Sequence, residues 1–111
     1  MNMIDQSALE TAVLQRLHEV HQAVGFPPAK SVRVLRRENT GGGRYVDIDA
    51  DAEVQVNDGY LDLGGGFIEM EGLPSGMMAV ALVRDKRLKV LEFSVYGGDR
   101  WDGEERGWKL V

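Results

Sequence analysis

The stretch MMAVALVRDKRLKVLEFSVY, residues 77–96, decides the fold. Its first seven residues, 77–83, are all apolar, which is typical of a central strand with both faces covered. The turn sequence RDKR at 84–87 leads into a run where apolar and polar residues alternate. The phase of that alternation slips between Val90 and Leu91, which predicts a β-bulge near Val90. The whole stretch therefore predicts an antiparallel hairpin.

A second hairpin is predicted upstream. Residues 46–57 alternate strictly between apolar and polar side chains, so we expect one buried face and one wet face. The glycine-rich turn at 38–43 connects this run to VRVL at 32–35. The loop NTGGG predicts three cross-strand pairs: Glu38 with Arg44, Val34 with Ile48, and Arg33 with Asp49. Because strands usually have about five or six residues, we expect a break near residues 50–52.

Residues 7–24 predict a helix. SALE at 7–10 has the form of a capping box, in which Ser7 and Glu10 each bond the other's backbone amide. One apolar stripe follows at helical spacing: Leu9, Val13, Leu17, Val20 and Val24. Gly25 is placed to end the helix, and the two prolines after it prevent continuation.

Two further turn signals, NDG at 57–59 and GGG at 64–66, separate the short runs YLDL and FIEMEGL. The order is thus one helix followed by roughly six strands, joined mostly by tight turns. We predict an α+β fold: a curved antiparallel sheet of about six strands with one N-terminal helix packed on one face. At 111 residues we expect a single α+β domain, residues 1–111.

The composition excludes several classes of function. A net charge of −5 argues against sequence-independent nucleic-acid binding, which needs a basic surface. With no cysteine, disulfides and cysteine-ligated zinc are excluded. The first ten residues lack the form of a secretory signal, and no apolar run is long enough to span a bilayer. We therefore expect a cytoplasmic protein without membrane contact.

None of the candidate motifs for a metal, a cofactor or catalysis matches its consensus sequence in full. DIDADAE at 47–53 resembles the start of a calcium loop, but Ala52 stands where glycine is needed and Asp58 where glutamate is needed. HEVH at 18–21 spaces its histidines three apart rather than the four of a zinc-protease helix. Neither glycine triplet leads into a phosphate-binding helix. We predict no metal, no cofactor and no catalytic residue.

The tail YGGDRWDGEERGW, residues 96–108, carries both tryptophans of the chain. Trp, Tyr and Arg on a loop often dominate protein interfaces, and acidic neighbours suit a basic partner. The predicted protein-binding residues are Tyr96, Asp99, Arg100, Trp101 and Asp102 in the tail, with Asp47 and Asp49 on an acidic strand face. In the other interpretation, each tryptophan folds back on the sheet as a lid. We expect Trp101 to be exposed and Trp108 to be the core residue.

Two segments resemble a known group of proteins. RENTGGG at 37–43 resembles an R-E-x-T-G-x-G turn, and residues 71–101 resemble an apolar hairpin that ends in L-E-x-x-x-Y-G-x-x-x-W. This pair is similar to motifs of small uncharacterised bacterial proteins, and some similar short acidic proteins are proposed as immunity proteins of polymorphic toxin systems. Since the matching residues are turn and core residues, the resemblance implies a shared fold rather than shared chemistry.

Three hypotheses of function follow. The first is a non-enzymatic protein-binding domain, such as an immunity-type inhibitor of a basic toxin. The second is a small-molecule-binding protein or hydrolase that holds Glu69 or Glu92 in an apolar pocket. The third is a homo-oligomer that associates through an exposed strand or the tail.

Overall fold

A computed structural model describes residues 4–111. These residues form one α-helix, two short 3-10 helices and one seven-stranded sheet. The elements are α1 Ala8–Val20, 3-10 turns at Gln22–Val24 and Ala29–Ser31, β1 Val32–Asn39, β2 Gly43–Ala50, β3 Gly59–Leu61, β4 Ile68–Met70, β5 Leu73–Arg84, β6 Arg87–Val95 and β7 Lys109–Leu110. The α+β class is confirmed: the sheet is curved, antiparallel and open, with seven strands in the described range rather than about six.

The strand order is β1-β2-β6-β5-β4-β7, and β3 also pairs with β5. Both predicted hairpins form, as β1–β2 and as β5–β6. They are joined by the antiparallel pairing of β2 with β6. This long-range pairing places β2, β6 and β5 at the centre of the sheet.

Helix α1 begins at the predicted capping box. The Ser7 hydroxyl accepts from the amide of Glu10 at 3.1 Å, and the Ser7 amide donates to the Glu10 carboxylate at 3.0 Å. Leu9, Val13, Leu14 and Leu17 are fully buried against the sheet. The helix ends earlier than the stripe predicts, and Val20 is 42% exposed. A 3-10 turn follows and closes at Gly25, whose φ of 83° favours glycine.

The register of the first hairpin is right at one end and wrong at the other. Val34 lies opposite Ile48 and Arg33 opposite Asp49, as predicted. Near the turn, however, Arg44 lies opposite Asn39 rather than Glu38. The shift occurs between Val34 and Arg36, where an irregularity at Leu35 inserts one extra residue in β1. The loop NTGGG fits both registers, so its sequence did not reveal the bulge.

The second hairpin contains the predicted bulge. Leu82 pairs with Val90 but Val83 pairs with Leu88, so one residue of β6 is left over beside Val90. Its turn is a two-residue loop, Asp85 and Lys86, with positive φ at both positions, 53° and 62°.

The predicted break near residues 50–52 is also present, since β2 ends at Ala50. The chain beyond it does not continue as a strand over residues 52–56. The side chain of Val54 is instead fully buried in the core, and the Val54 amide donates to the carbonyl oxygen of Lys86.

The two faces of β5 differ. Met77, Ala79, Ala81 and Val83 are fully buried on the side that α1 covers, which we call the inner face. Met78, Val80 and Leu82 point to the other side, the outer face, and are only half-buried. The prediction of a strand covered on both faces, or very nearly so, therefore holds for the inner face, whereas the outer face is only partly covered. In residues 4–111, all strands belong to one sheet and α1 packs on its inner face, so no second layer protects the outer face.

Candidate protein interface

The outer face is built from the side chains that alternate away from α1. On the four longest strands its members are Arg33, Arg36 and Glu38 of β1, Tyr45, Asp47 and Asp49 of β2, Met78, Val80 and Leu82 of β5, and Val90, Glu92 and Ser94 of β6. Tyr60 of β3 extends it on one side, and the bulged Leu35 lies at the other. When one face of a sheet is exposed to solvent, the side chains on that face are normally polar.

The outer face concentrates the exposed apolar surface of the molecule. In residues 4–111, six large hydrophobic residues are exposed, and four of them lie on or beside this face. The four are Leu35 at 55%, Tyr45 at 45%, Tyr60 at 61% and Tyr96 at 44%. Tyr96 follows β6 and lines a cleft together with Met78. Single exposed apolar residues are ordinary, but a contiguous patch with a polar rim marks an interaction site.

Cross-strand pairing fixes how these side chains neighbour one another. One row runs Tyr60, Leu82, Val90, Asp47, Arg36 across five strands. The next row runs Val80, Glu92, Tyr45, Glu38 across four strands. Adjacent strands lie about 4.8 Å apart, so side chains within a row are in contact range. Val80 and Tyr45 therefore flank Glu92, whereas Asp47 lies between Val90 and Arg36 near the centre of the face.

Two acidic residues of this surface are neutralised from within the protein. Arg33 contacts Asp49 at 2.6 Å and Asp51 at 3.0 Å. The hydrogen bond from Arg33 holds the pKa of Asp49 below its ordinary value. Asp47 and Glu92 differ, because no ion pair within 4.0 Å involves either of them in residues 4–111. Two half-buried carboxylates thus carry uncompensated charge at the centre of the outer face.

Trp101 is buried, so the prediction that it is exposed is wrong. It is 5% exposed and packs on Phe93, with the ring centres 6.4 Å apart. Its Nε1 donates to the carbonyl oxygen of Glu104 at 2.8 Å, and the guanidinium carbon of Arg44 lies 4.6 Å from the ring centre. Trp108 is half-buried at the margin of the core. Arg44, a cation on the inner face, contacts the ring of Trp101, and the indole N–H of Trp101 has a hydrogen-bond acceptor. These two contacts explain why Trp101, rather than Trp108, is buried over the sheet.

Arg44 belongs to a buried charge network, which we define as Glu10, Arg37, Arg44 and Glu105. The Glu10 carboxylate, 0% exposed, accepts from Arg37 at 2.6 and 2.7 Å and from Arg44 at 3.2 Å. Arg44 also donates to Glu105 at 2.8 Å and to the carbonyl oxygen of Gly103 at 2.8 Å. Glu105 in turn accepts from the amide of Leu9 at 3.1 Å. The network joins the start of α1, the first hairpin and the tail.

The network is a structural element rather than a binding site. Within residues 4–111, every buried side-chain nitrogen and oxygen has a hydrogen-bond partner, so no polar atom is left for a ligand. Sequence reasoning missed it by pairing Arg44 with Glu38. One signal was present: Arg44 has the same strand parity as Val46 and Ile48, which places it on the buried face.

Glu105 predicts a pH dependence of stability. Burial raises its pKa, but hydrogen bonds from Ser7, Arg44 and Leu9 outweigh burial and hold the pKa below its ordinary value. A carboxyl with a lowered folded pKa stabilises the protein above its unfolded pKa, about 4.3, and loses this contribution as the pH falls through the folded value. Urea unfolding between pH 7 and pH 3 should show a smaller loss of stability for Glu105→Gln than for wild type. Equal losses in both proteins would contradict this assignment. The control is Glu19→Gln, at an exposed carboxyl of α1 that forms no ion pair within 4.0 Å in residues 4–111, and it should behave like wild type.

The seven predicted contact residues do not form one surface. Asp47 and Asp49 lie on the outer face and Tyr96 borders it, whereas Trp101 is buried on the inner side. The other tail residues surround Trp101: Asp99 is half-buried, Arg100 lies beside Gly41, and Asp102 pairs with Arg106 at 3.0 Å. The backbone amide of Glu104, and then Arg106, lower the pKa of Asp102. The outer-face residues that sequence reasoning missed are Tyr45, Tyr60, Val80, Leu82, Val90 and, as a contact residue, Glu92.

The two carboxylates considered for a catalytic or small-molecule site, Glu69 and Glu92, do not converge in the structure. Glu69 is exposed on β4, Glu92 lies two strands away on β6, and neither lines one of the four principal clefts. In the described residues, no group of three or more His, Asp or Glu side chains could hold a metal ion. His18 and His21 are instead hydrogen-bonded to the carbonyl oxygens of Phe26 and Asp62, each at 2.7 Å.

Known proteins give no further guidance. Comparison with protein families, with curated proteins and with solved structures finds no match to this chain. Within residues 4–111, α1 and the 3-10 turns are too short or too polar to cross a bilayer. The chemistry of the outer face is therefore the main indication of function.

Proposed function

We propose that this protein is a non-enzymatic protein-binding domain whose contact surface is the outer face of its sheet. One observation carries the proposal: the central strands present Met78, Val80, Leu82 and Val90 to a side that no second layer covers in residues 4–111. Burying apolar area against a partner is the main favourable term in protein association. A partner that covers this patch gains it without disturbing the core.

The face has the anatomy of an interface. Its centre combines the apolar side chains of Val80, Leu82 and Val90 with the carboxylates of Asp47 and Glu92. Three tyrosines stand around this centre, and other charged residues form much of the rim. Tyrosine is enriched at energetically dominant interface positions because it offers a large rigid surface with one polar atom. The sheet beneath is held by three long paired strands, so the contact surface is prepared before binding and little ordering entropy opposes association.

The charge of the surface favours a basic partner. The chain carries 18 acidic and 13 basic residues, and the carboxylates of Asp47 and Glu92 remain uncompensated within the described chain. Complementary charge steers association and excludes acidic competitors. In finer terms we propose an immunity-type inhibitor of a basic toxin such as a nuclease. The two sequence motifs resemble small uncharacterised bacterial proteins, and some similar short acidic proteins are proposed as immunity proteins.

Val80→Arg tests the surface. Val80 is half-buried at the centre of the outer face, so a cation there is expected to weaken binding of a basic partner by about 100-fold through lost apolar contact and like-charge repulsion. The partner is captured from host lysate on tagged wild-type protein, purified, and titrated by calorimetry against each variant. Val20→Arg, at an exposed valine on α1, is the matched control and should bind like wild type.

Circular dichroism must first show that both variants are folded. A purified partner that binds Val80→Arg as tightly as wild type would exclude the outer face as the contact surface. If no partner is captured and light scattering shows a dimer that Val80→Arg dissociates, the face mediates self-association instead.

A further inference from the structure

The two central carboxylates of the outer face lie on neighbouring strands. Asp47 is opposite Val90 and Glu92 is opposite Tyr45, so the two acids are diagonal neighbours across β2 and β6. Such diagonal pairs are about 7–8 Å apart at their Cα atoms, and their side chains lie closer. Both are half-buried: Glu92 lies between Val80 and Tyr45, and Asp47 lies between Val90 and Arg36. A cation placed between two carboxylates at this spacing is attracted to both.

Three arginines near the two acids contact other groups. Arg33 contacts Asp49 and Asp51, and Arg36, which is opposite Asp47 across β1 and β2, lies 3.8 Å from Glu38 and forms no ion pair within 4.0 Å with Asp47. Arg87, at the hairpin end of β6, donates to the carbonyl oxygens of Ala50 and Asp51. The charge at the centre of the face therefore calls for a cation from outside the chain.

Resting on the proposed function, we infer that the outer face receives an arginine side chain of a basic partner protein, held between Glu92 and Asp47 and stacked on Tyr45. The planar guanidinium can bond two carboxylates at once and lie on an aromatic ring, which a lysine ammonium does less well. Val90 and Val80 beside the acids offer apolar surface for the methylene stem. A central, desolvated arginine contact of this kind is typical of an interface hot spot.

A second copy of this chain fits the face poorly. In a two-fold, face-to-face contact the same patch is used on both sides, so the central acids of one copy approach those of the other. Like charges opposed in a desolvated contact are strongly unfavourable, which favours a separate basic partner over self-association.

A peptide titration tests the inference without the unknown partner. The probes are acetyl-Leu-Arg-Leu-amide and its citrulline analogue, which keeps the shape of the side chain but is neutral, titrated into ¹⁵N-labelled protein and followed by NMR. We expect the arginine peptide to shift the amide signals of residues 45–47 and 90–92 and to bind at least about fivefold more tightly than the citrulline peptide. The lysine analogue should fall between them.

Charge-removing variants locate the contact. Glu92→Gln is expected to weaken the arginine peptide by about threefold or more, whereas Glu19→Gln, which removes one exposed charge from α1, should bind like wild type. The inference is overturned if the citrulline peptide binds equally well, if Glu92→Gln matches Glu19→Gln, or if the shifted signals lie outside the outer face. Concentration-dependent broadening of the same signals without peptide would assign the face to self-association instead.

The two proposals fail in distinguishable ways. If the arginine peptide shows no preference but Val80→Arg still abolishes binding of the purified partner, the face is an interface and the arginine contact is wrong. If the peptide binds at Glu92 but Val80→Arg leaves partner binding intact, the proposed contact surface is wrong.

Discussion

Replacing Arg44 with methionine is expected to lower the free energy of unfolding by about 3–5 kcal/mol. The guanidinium serves two largely buried carboxylates, Glu10 and Glu105, and contacts the ring of Trp101. Methionine fills much of the same space but leaves Glu105 without its cation and Glu10 with Arg37 alone. Removing one member of a buried ion pair is costly because the remaining charge stays out of water. Urea unfolding followed by circular dichroism measures the change.

Two comparison variants make this prediction specific. Arg36→Met removes an arginine whose side chain is 67% exposed in its pair with Glu38, so a change below about 0.5 kcal/mol is expected. Arg44→Lys keeps the positive charge but loses the planar guanidinium, so we expect an intermediate loss of unfolding free energy. This variant still tests the prediction if Arg44→Met does not fold. A loss below about 1 kcal/mol for Arg44→Met would show that the network contributes little.

The parts of the fold that the sequence predicts correctly are those set by local interactions. The capping box needs only Ser7 and Glu10, and the second hairpin needs only the turn at residues 84–87 between two apolar runs. Each of these signals lies within a short stretch of neighbouring residues. The local interactions that form the cap and the turn can therefore be predicted from that stretch alone.

The parts that were missed depend on long-range pairing. Alternation along β2 shows that Arg44 and Tyr45 lie on opposite faces, but not which face receives α1. The bulge at Leu35 changes the partner of Arg44 from Glu38 to Asn39, and nothing in the glycine-rich loop signals it. Trp101 packs on Arg44 and Phe93, so its burial can be predicted only once the positions of these two residues are known.

The outer face was missed for a related reason. An all-apolar run such as residues 77–83 is typical of a strand covered on both sides, and its exposure becomes visible only when the elements are counted. In the described chain α1 serves the inner face alone. The same apolar residues that predict a buried strand therefore become the candidate interface.

Replacing Trp101 with alanine is expected to lower the free energy of unfolding by about 3–5 kcal/mol, which is the usual cost of deleting a large buried aromatic side chain. The indole is 5% exposed, packs on Phe93, and donates to the carbonyl oxygen of Glu104. Its loss leaves a cavity beneath the tail and removes the aromatic surface that Arg44 contacts. Because the substitution also removes a fluorophore, unfolding is best followed by circular dichroism.

The same variant decides between the two interpretations of the tail. Trp101→Phe retains most of the apolar contact but loses the Nε1 hydrogen bond, so a loss of about 1–2 kcal/mol is expected. Trp108→Ala should cost less than Trp101→Ala, since Trp108 is only half-buried. If the Trp101→Ala protein is stable but binds its purified partner more weakly, Trp101 contacts the partner and is not a lid on the core. An unstable variant whose folded fraction still binds normally would assign the ring to the core and leave recognition to the outer face.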